Sequence, residues 1–314
     1  MRILITGASG FIGSSLVRAM PESKYQLFLA SRSSKKYIFQ ENISSYHQVN
    51  WSSKTEIDAL CQNIDLIVHA AGINANDAQN NPEDAEFFNG VVTSNLIDAA
   101  IKAEVKRFIY FSTAHVYRSP LEGTINESSA INNPHAYATS HITGEQAVIN
   151  AANSSLIDGL VLRVSNVFGA PSIPNSNCWN LFVNNLCMQA IKDEKLRVTG
   201  NPLQERDFIA IRDLCSIVID LINYRDLFHP NSVVNIGSGQ SYTLQNMALA
   251  ILREHQKIFK SKLDLLQTQE SKGRELEKLC YQSSLHDFFQ IETNNSTIAE
   301  IKHLLHFCKE ELIK

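Results

Sequence analysis

Three glycines at three-residue intervals lie close to the amino terminus, at Gly7, Gly10 and Gly13. They follow an apolar run at residues 3–6 and precede a helix-like stretch. A loop of this kind allows backbone N–H groups to approach a pyrophosphate at the positive end of a helix. Its position directly after an apolar strand favours a dinucleotide-binding loop over a tight turn without a ligand. The expected contacts come from the loop residues Gly7, Ser9, Gly10, Phe11, Ile12 and Gly13.

The end of the second predicted strand carries the next group that could bind phosphate. In dinucleotide-binding folds an acidic side chain there meets the ribose of NAD, whereas a basic one accommodates the 2′-phosphate of NADP. Here the strand ends in Ser31 and Arg32, and the acid is absent. Because this pair could hold a phosphate through several hydrogen bonds, we expect NADP as cofactor, with NAD as the alternative. A second interpretation treats Arg32, Lys35 and Lys36 as a solvated basic loop.

An alternation of strands and helices positions these groups. Short apolar runs predict buried parallel strands, and longer stretches between them predict helices, so the fold class is α/β with a doubly wound parallel sheet. The predicted strands are residues 3–6, 26–30, 66–69, 108–112 and 159–162, and the predicted helices are 11–20, 56–62, 82–103 and 138–153. The rhythm breaks after about Ser165, which predicts one domain at 1–165 and a smaller one at 166–314.

The second half of the chain gives weaker signals. A helix is predicted at 180–192, and a polar, helix-rich tail at 244–314. Apolar runs at 214–222 and 233–236 are expected to rejoin the sheet, so that segments near 210–236 return to the first domain.

Composition limits the class of partner. The chain has 314 residues, 44% hydrophobic and 19% charged, with a formal net charge of −4. This charge gives no electrostatic reason to expect nucleic acid or an anionic membrane. Six cysteines are scattered without CxxC spacing, so neither disulfides nor a metal site is expected. No apolar run has the length of a membrane span, and a cytoplasmic location is expected.

Several further motifs, in the same order along the chain, resemble one family. The chain resembles the extended short-chain dehydrogenase/reductases, in particular the NAD-dependent epimerase/dehydratase group typified by UDP-galactose 4-epimerase. The resemblance runs from Met1 to about Leu249. Its segments are GASGFIG at 7–13, IVHAAG at 67–72, Asn89, Thr93 and Asn95 in an N-x-x-x-T-x-N pattern, RDF at 206–208 and NIGSG at 235–239.

The resemblance implies a Rossmann fold with a C-terminal substrate-binding domain. It places Ala70, Ala71 and Gly72 along the cofactor, and Asn50 where family members often have an aspartate that meets adenine. It places Asn166 and Arg206 on a nucleotide sugar, with the arginine on the diphosphate, a role suited to a permanently charged, forked guanidinium. The alternative for Arg206 is an ordinary ion pair with Asp207 or Glu205.

The resemblance also implies a catalytic group, in which this chain departs from the family pattern. Thr113 takes the Ser/Thr position that binds the reacting oxygen, and Tyr137 opens the YxxxK motif. The lysine of that motif, which holds the nicotinamide ribose and lowers the tyrosine pKa, is replaced by His141. Three interpretations stay open: His141 replaces the lysine in cofactor binding and catalysis, redox activity is weak or lost, or the site is rebuilt.

His115 is a second departure. Family members that dehydrate sugars have two acids where this chain has Ala114 and His115, which disfavours dehydration. Relatives of GDP-fucose synthase carry an acid–base cysteine at the position of His115, and a histidine could do similar work near neutral pH. The alternative is a buried, hydrogen-bonded structural histidine.

The expected function is therefore NAD(P)-dependent oxidation, reduction or epimerisation of a nucleoside-diphosphate sugar. Alternatives are a nucleotide 4-ketosugar reductase and a cofactor-binding regulatory protein that has lost catalysis. A homodimer is also expected, formed through the helices at 82–103 and 138–153. The first of these helices carries an apolar stripe at Leu96, Ala99, Ala100 and Ala103.

Overall fold

The computed structural model describes residues 1–33, 41–228, 232–267, 277–287 and 296–311. Contacts divide the chain into two units. Unit 1 comprises Met1–Arg118, Ala130–Val164 and Cys215–Val234, and unit 2 comprises Ser119–Ser129, Ser165–Leu214 and Asn235–Lys314. A short segment inside the predicted first domain, Ser119–Ser129, thus belongs to unit 2.

The predicted doubly wound sheet is confirmed. The described residues form a seven-stranded parallel sheet in the order β11-β7-β5-β4-β1-β2-β3. Its strands are β1 (Arg2–Thr6), β2 (Gln26–Ser31), β3 (Ile43–Gln48), β4 (Leu66–His69), β5 (Arg107–Thr113), β7 (Asp158–Val164) and β11 (Val233–Ile236). The central strands β4 and β5 are buried at every position, as expected when helices cover both faces of a sheet.

The sheet is flanked by helices whose apolar faces complete the core. They are α1 (Phe11–Ala19), α2 (Lys54–Leu60), α3 (Ala75–Asn80), α4 (Pro82–Ala85), α5 (Val92–Lys102), α6 (Ala136–Asn153) and α8 (Ile211–Asn223). Between α4 and α5 the chain forms a wide π-helical turn, Glu86–Val91. The predicted single helix at 82–103 is therefore interrupted, and such turns occur often at functional sites.

The apolar run at 214–222 forms helix α8, because Leu214, Val218 and Leu221 recur at helical spacing on its buried side, and Cys215–Val234 belongs to unit 1. Strand β3 was missed, because its sequence is polar and its side chains are largely exposed at the edge of the sheet.

Unit 2 has its own smaller core. Strands β8 (Asn166–Phe168), β10 (Glu205–Ala210) and β12 (Ser241–Thr243) form one sheet, and β9 (Lys195–Val198) pairs with β13 (Asp264–Gln267). A third pair joins β6 (Thr124–Ile125) and β14 (Cys280–Tyr281). Helices α7 (Phe182–Lys192), α9 (Leu244–Phe259) and α10 (Ser296–Glu311) pack against them. No helix formed by the described residues is long and apolar enough to span a membrane.

Candidate active site

The glycine loop joins β1 to α1. Gly7 has a positive φ of 69°, and a Cβ atom there would lie 2.5 Å from the carbonyl oxygen of Ala70. A Cβ at Gly13 would collide with the carbonyl of Gly7. Gly10 is the N-cap of α1 and has no side chain that could cap the first-turn N–H groups. The first-turn N–H groups of α1 are therefore suited to phosphate oxygens, and the loop fits the dinucleotide expected there.

The residues expected at the adenosine end lie at the end of β2 or just after β2 and β3. Ser31 is buried and donates a hydrogen bond from its hydroxyl to the Ser33 carbonyl at 2.8 Å. The Arg32 side chain is exposed, with its guanidinium 5.3 Å from the centre of the Phe88 ring. Asn50 is also exposed, and its amide oxygen accepts from the Ser52 N–H. Lys35 and Lys36 lie outside the described residues, so the basic-loop interpretation stays a prediction for them.

The segment after β4 is held from two sides. The Ala71 N–H donates to Thr6 Oγ1, and the Ile73 N–H donates to the side-chain oxygen of Asn89 at 2.8 Å. Ala70 and Ala71 are half-buried and Gly72 is exposed. These three residues remain accessible beside the glycine loop of the same unit.

Three of the predicted catalytic side chains lie together. Thr113 ends β5, Tyr137 lies in the first turn of α6, and a hydrogen bond joins their side chains. The Tyr137 and His141 rings meet edge to face with their centres 4.7 Å apart. Burial raises the pKa of Tyr137, opposed by the bond with Thr113. Burial, with a smaller contribution from His115, lowers the pKa of His141 to about 3.

His115 lies at the edge of this group. It is half-buried, and its ring centre is 6.3 Å from that of Tyr137. The His115 N–H donates to Thr113 Oγ1, and its carbonyl accepts from the Asn133 amide at 2.7 Å. The side chain is therefore beside the Thr113–Tyr137 pair without being fully enclosed.

The sequence did not predict a buried hydrogen-bonded cluster behind Tyr137. The Asn89 carbonyl accepts from Thr93 Oγ1 at 2.7 Å and from the Tyr110 hydroxyl at 3.1 Å. That hydroxyl also lies 2.9 Å from His141 Nδ1. His69 joins the cluster through its Nε2, 3.0 Å from Thr93 Oγ1. The sequence shows the Asn–Thr motif on the helix, but its link to Tyr110 depends on packing between distant segments.

A buried ion pair one turn along α6 was also missed. Arg163 on β7 makes paired hydrogen bonds to the Glu145 carboxylate, with Nη2 2.7 Å from Oε2. Ser112 donates to the same carboxylate, and Tyr117 accepts from Arg163 Nη1 at 3.1 Å. Burial disfavours the Arg163 charge, but the bonds and charge of Glu145 outweigh it and raise the Arg163 pKa. The pair ties α6 to the sheet.

The predicted substrate residues Asn166 and Arg206 belong to unit 2. The Asn166 amide donates to the Asp207 carbonyl at 2.9 Å, which fixes it beside β10. Arg206 is half-buried, with its guanidinium 5.9 Å from the centre of the Phe182 ring, and burial lowers its pKa. It makes no ion pair with Asp207 or Glu205, whose carboxylates accept from Ser238 and Leu279 within the described chain.

The glycine loop, the parallel sheet and the Thr113–Tyr137 pair define a dinucleotide-dependent enzyme of the short-chain dehydrogenase/reductase class. The model of the NAD dependent epimerase/dehydratase family matches residues 3–237, and the chain belongs to this family. The predicted family is confirmed.

The similar proteins are enzymes of different reaction types, a dehydrogenase, a dehydratase and an epimerase. The chain is 27% identical over 261 residues to a dTDP-6-deoxy-L-talose 4-dehydrogenase (NAD(P)(+)) of Kitasatospora kifunensis, covering 81% of this chain and 79% of that protein. It is 24% identical over 271 residues to human dTDP-D-glucose 4,6-dehydratase, covering 80% and 73%. UDP-glucuronic acid 4-epimerase from Bacillus cereus, solved with UDP-glucuronic acid and NAD, has the same fold, with a TM-score of 0.82, 21% identity and coverage of 98% and 99%.

Proposed function

We propose that the protein is an NAD(P)(H)-dependent oxidoreductase that acts on the sugar ring of a nucleoside-diphosphate sugar, and that it favours reduction of a ring ketone. The observation that carries this proposal is the Thr113–Tyr137 pair beside a neutral His141. Named relatives include enzymes of dTDP-sugars, which supports a substrate of this class.

Tyr137 is suited to give up a proton to a developing alkoxide. Its hydroxyl is bonded to Thr113, and the same two hydroxyls can bind one substrate oxygen. Burial raises the Tyr137 pKa, so the side chain is protonated at neutral pH and acts as an acid more readily than as a base. A bound dinucleotide supplies the hydride. Epimerisation would begin with an oxidation that needs the ionised tyrosine as base, and the raised pKa leaves less of Tyr137 in that form.

Two residues of unit 2 are proposed to bind the nucleotide part of the substrate. Arg206 carries a forked guanidinium without an ion-pair partner among the described residues, which suits a diphosphate. Asn166 lies on the neighbouring strand β8, paired with β10. For a reaction that includes epimerisation, we assign His115 the role of acid or base beside Tyr137, in keeping with its partial exposure.

For the cofactor we propose NADP(H) over NAD(H). Ser31 and Arg32 stand where an acid would select NAD, and the Arg32 guanidinium is exposed. Arg32→Asp should reverse the order of affinity, measured by titration calorimetry with both dinucleotides. Equal or tighter NAD binding by the unmodified protein would contradict the proposal.

A homodimer is also proposed, but through residues other than the apolar stripe expected from the sequence. Leu96, Ala99 and Ala100 of the apolar stripe are buried in the core of unit 1, so they cannot form the interface. The outward side of the same helical region offers Val91, which is 42% exposed, together with the exposed Thr139 and Thr143 of α6. Light scattering at micromolar concentration distinguishes the dimer from a monomer.

The test of the proposed function is Tyr137→Phe, assayed against a panel of UDP- and dTDP-sugars and their 4-keto forms. Removing a general acid should lower turnover by about 100-fold or more while cofactor affinity stays near that of the parent. Tyr25→Phe is the matched control, because Tyr25 precedes β2 and its hydroxyl bonds Asn223 away from the glycine loop. An unmodified protein that binds cofactor but changes its redox state with no sugar would favour the regulatory alternative.

A further inference from the structure

The Asn89 carbonyl is the centre of the buried cluster in unit 1. It lies in the π-helical turn Glu86–Val91 and accepts two side-chain hydrogen bonds, from Thr93 and Tyr110. The Asn89 amide is held as well, because its oxygen accepts from the Ile73 N–H and its nitrogen donates to Ser140 Oγ. A carbonyl only accepts, so both hydroxyl protons point towards it.

The direction of the Tyr110–Asn89 hydrogen bond determines the direction of the Tyr110–His141 hydrogen bond. The Tyr110 hydroxyl has one proton, and its bond to the Asn89 carbonyl uses that proton. The hydroxyl oxygen can then only accept from His141 Nδ1, 2.9 Å away. Both hydrogen bonds coexist in one arrangement, with the His141 proton on Nδ1. Its Nε2 has no hydrogen-bond partner among the described residues.

Gly144 makes this contact possible. It lies inside helix α6, where glycine costs about 1 kcal/mol relative to alanine. A Cβ atom there would collide with the Tyr110 hydroxyl and lie 2.5 Å from the Asn89 carbonyl oxygen. The helix therefore accepts an unfavourable residue at the point where Tyr110, Asn89 and α6 meet.

We infer that Tyr110 is a positioning residue, which holds His141 in the Nδ1–H tautomer and leaves Nε2 as a bare hydrogen-bond acceptor. A lysine at this position would offer only donors, so the polarity towards a ligand is reversed. The group that fits is a hydroxyl donor, such as a ribose hydroxyl of the dinucleotide. This last step rests on the proposed function, whereas the tautomer itself does not.

His69 provides an internal comparison within the same cluster. Thr93 gives its proton to the Asn89 carbonyl, so Thr93 Oγ1 accepts from His69 Nε2–H. His69 Nδ1 then accepts from Thr6 Oγ1 at 2.6 Å, and Thr6 Oγ1 in turn accepts from the Ala71 N–H. The same reasoning thus assigns opposite tautomers to the two buried histidines.

The experiment records long-range ¹H–¹⁵N correlations of the histidine rings in the ¹⁵N-labelled, cofactor-free protein at pH 7. Signals are assigned from their loss in His141→Gln and His69→Gln. The expected spectrum has His141 as the Nδ1–H tautomer and His69 as Nε2–H. A wild-type His141 with its proton on Nε2, or a doubly protonated ring, would overturn the inference.

Two variants separate positioning from packing. Tyr110→Phe removes the acceptor of Nδ1–H, so His141 should shift to the Nε2–H tautomer that neutral histidine favours in water. Thr6→Val is the control, because Thr6 contacts His69 rather than Tyr110, and it should leave the His141 tautomer unchanged. A Tyr110→Phe protein that keeps Nδ1–H contradicts the role of Tyr110. Cofactor binding is measured separately by calorimetry, so failure of the proposed function would leave the tautomer assignment from the spectrum unaffected.

Discussion

Helix α6 contributes side chains to two buried polar regions one turn apart. The first region is an uncharged hydrogen-bonded cluster, and the second contains an ion pair. His141 lies in a neutral cluster with Tyr110, Thr93 and the Asn89 carbonyl. Glu145, four residues later, lies in an ionised cluster with Arg163. The His141 and Glu145 side chains are almost fully enclosed, at 7% and 2% exposure. Burial alone therefore does not determine whether a side chain is charged. The charges and hydrogen bonds of the neighbouring groups determine it.

The difference assigns separate tasks to the two regions. The charges of Glu145 and Arg163 neutralise each other, and the pair holds α6 against β7. It thereby also holds the backbone of α6 that carries Tyr137. The neutral cluster has no fixed charge and instead sets the direction of each hydrogen bond. Stability should depend mostly on the ionised region, and proton placement near Tyr137 mostly on the neutral one.

The largest expected effect comes from breaking the ionised region. Arg163→Met leaves the Glu145 carboxylate buried and unpaired, which should lower the free energy of unfolding by about 3–5 kcal/mol. Urea denaturation measures it, and Glu145→Leu combined with Arg163→Met should recover most of the loss. Lys102→Met is the control, since the exposed Lys102–Asp58 pair should contribute at most about 1 kcal/mol. Similar losses for both single variants would remove the contrast.

An intermediate effect is expected in the neutral region. Thr93→Val removes the acceptor of His69 Nε2–H and one donor to the Asn89 carbonyl, at a cost of about 1–3 kcal/mol. Ser94→Ala, beside it on the same helix and half-exposed, should cost about 0.5 kcal/mol or less. Calorimetric unfolding of the two variants tests this. Equal losses of unfolding free energy in the two variants would show that the Thr93 hydroxyl makes no special contribution to stability.

The smallest expected effect is a change in pH dependence. Burial lowers the pKa values of His69 and His141 to about 3, so the native state stays neutral where the unfolded chain takes up protons. Stability contributed by these groups is present above about pH 6.5 and lost as the pH falls towards 3. His141→Gln should reduce the slope between pH 6 and pH 5 by about 1.4 kcal/mol per pH unit.

Unfolding free energies measured at several pH values test this slope. Ser94→Ala gives the control, because it changes no titratable group and should leave the slope unchanged. A wild-type slope that survives His141→Gln would mean that His141 is protonated in the native state. The neutral region would then resemble the ionised one.

The sequence predicted what depends on local pattern. Apolar runs located the central strands, and the glycine spacing located the loop before Phe11, because both signals lie within a few neighbouring residues. Tyr137 and His141 were placed together correctly, since residues four apart share a helix face. Strand β3 was missed because an exposed edge strand need not be apolar.

The clusters behind Tyr137 could not be predicted from pattern. Tyr110 meets Asn89 and His141 from sequence separations of 21 and 31 residues, and Arg163 meets Glu145 across 18. Tyr110 lies within an apolar strand, where the pattern indicates only a core residue. Gly144 and the Asn89–Thr93 motif are the local signals of this cluster, since a glycine inside a helix often has a packing reason.

The place of β11 in the sheet has a consequence for the nascent chain. β11 borders β7, whose residues are buried at all but the first position. At 5–20 residues per second a ribosome needs roughly 3–14 s to pass from the end of β7 at Val164 to the start of β11 at Val233. During this interval β7 has no neighbour on the side that β11 later takes, and an open strand edge can pair with other chains. Synthesis thus includes an interval of seconds in which this strand edge is open to pairing with other chains, and it ends when β11 pairs with β7.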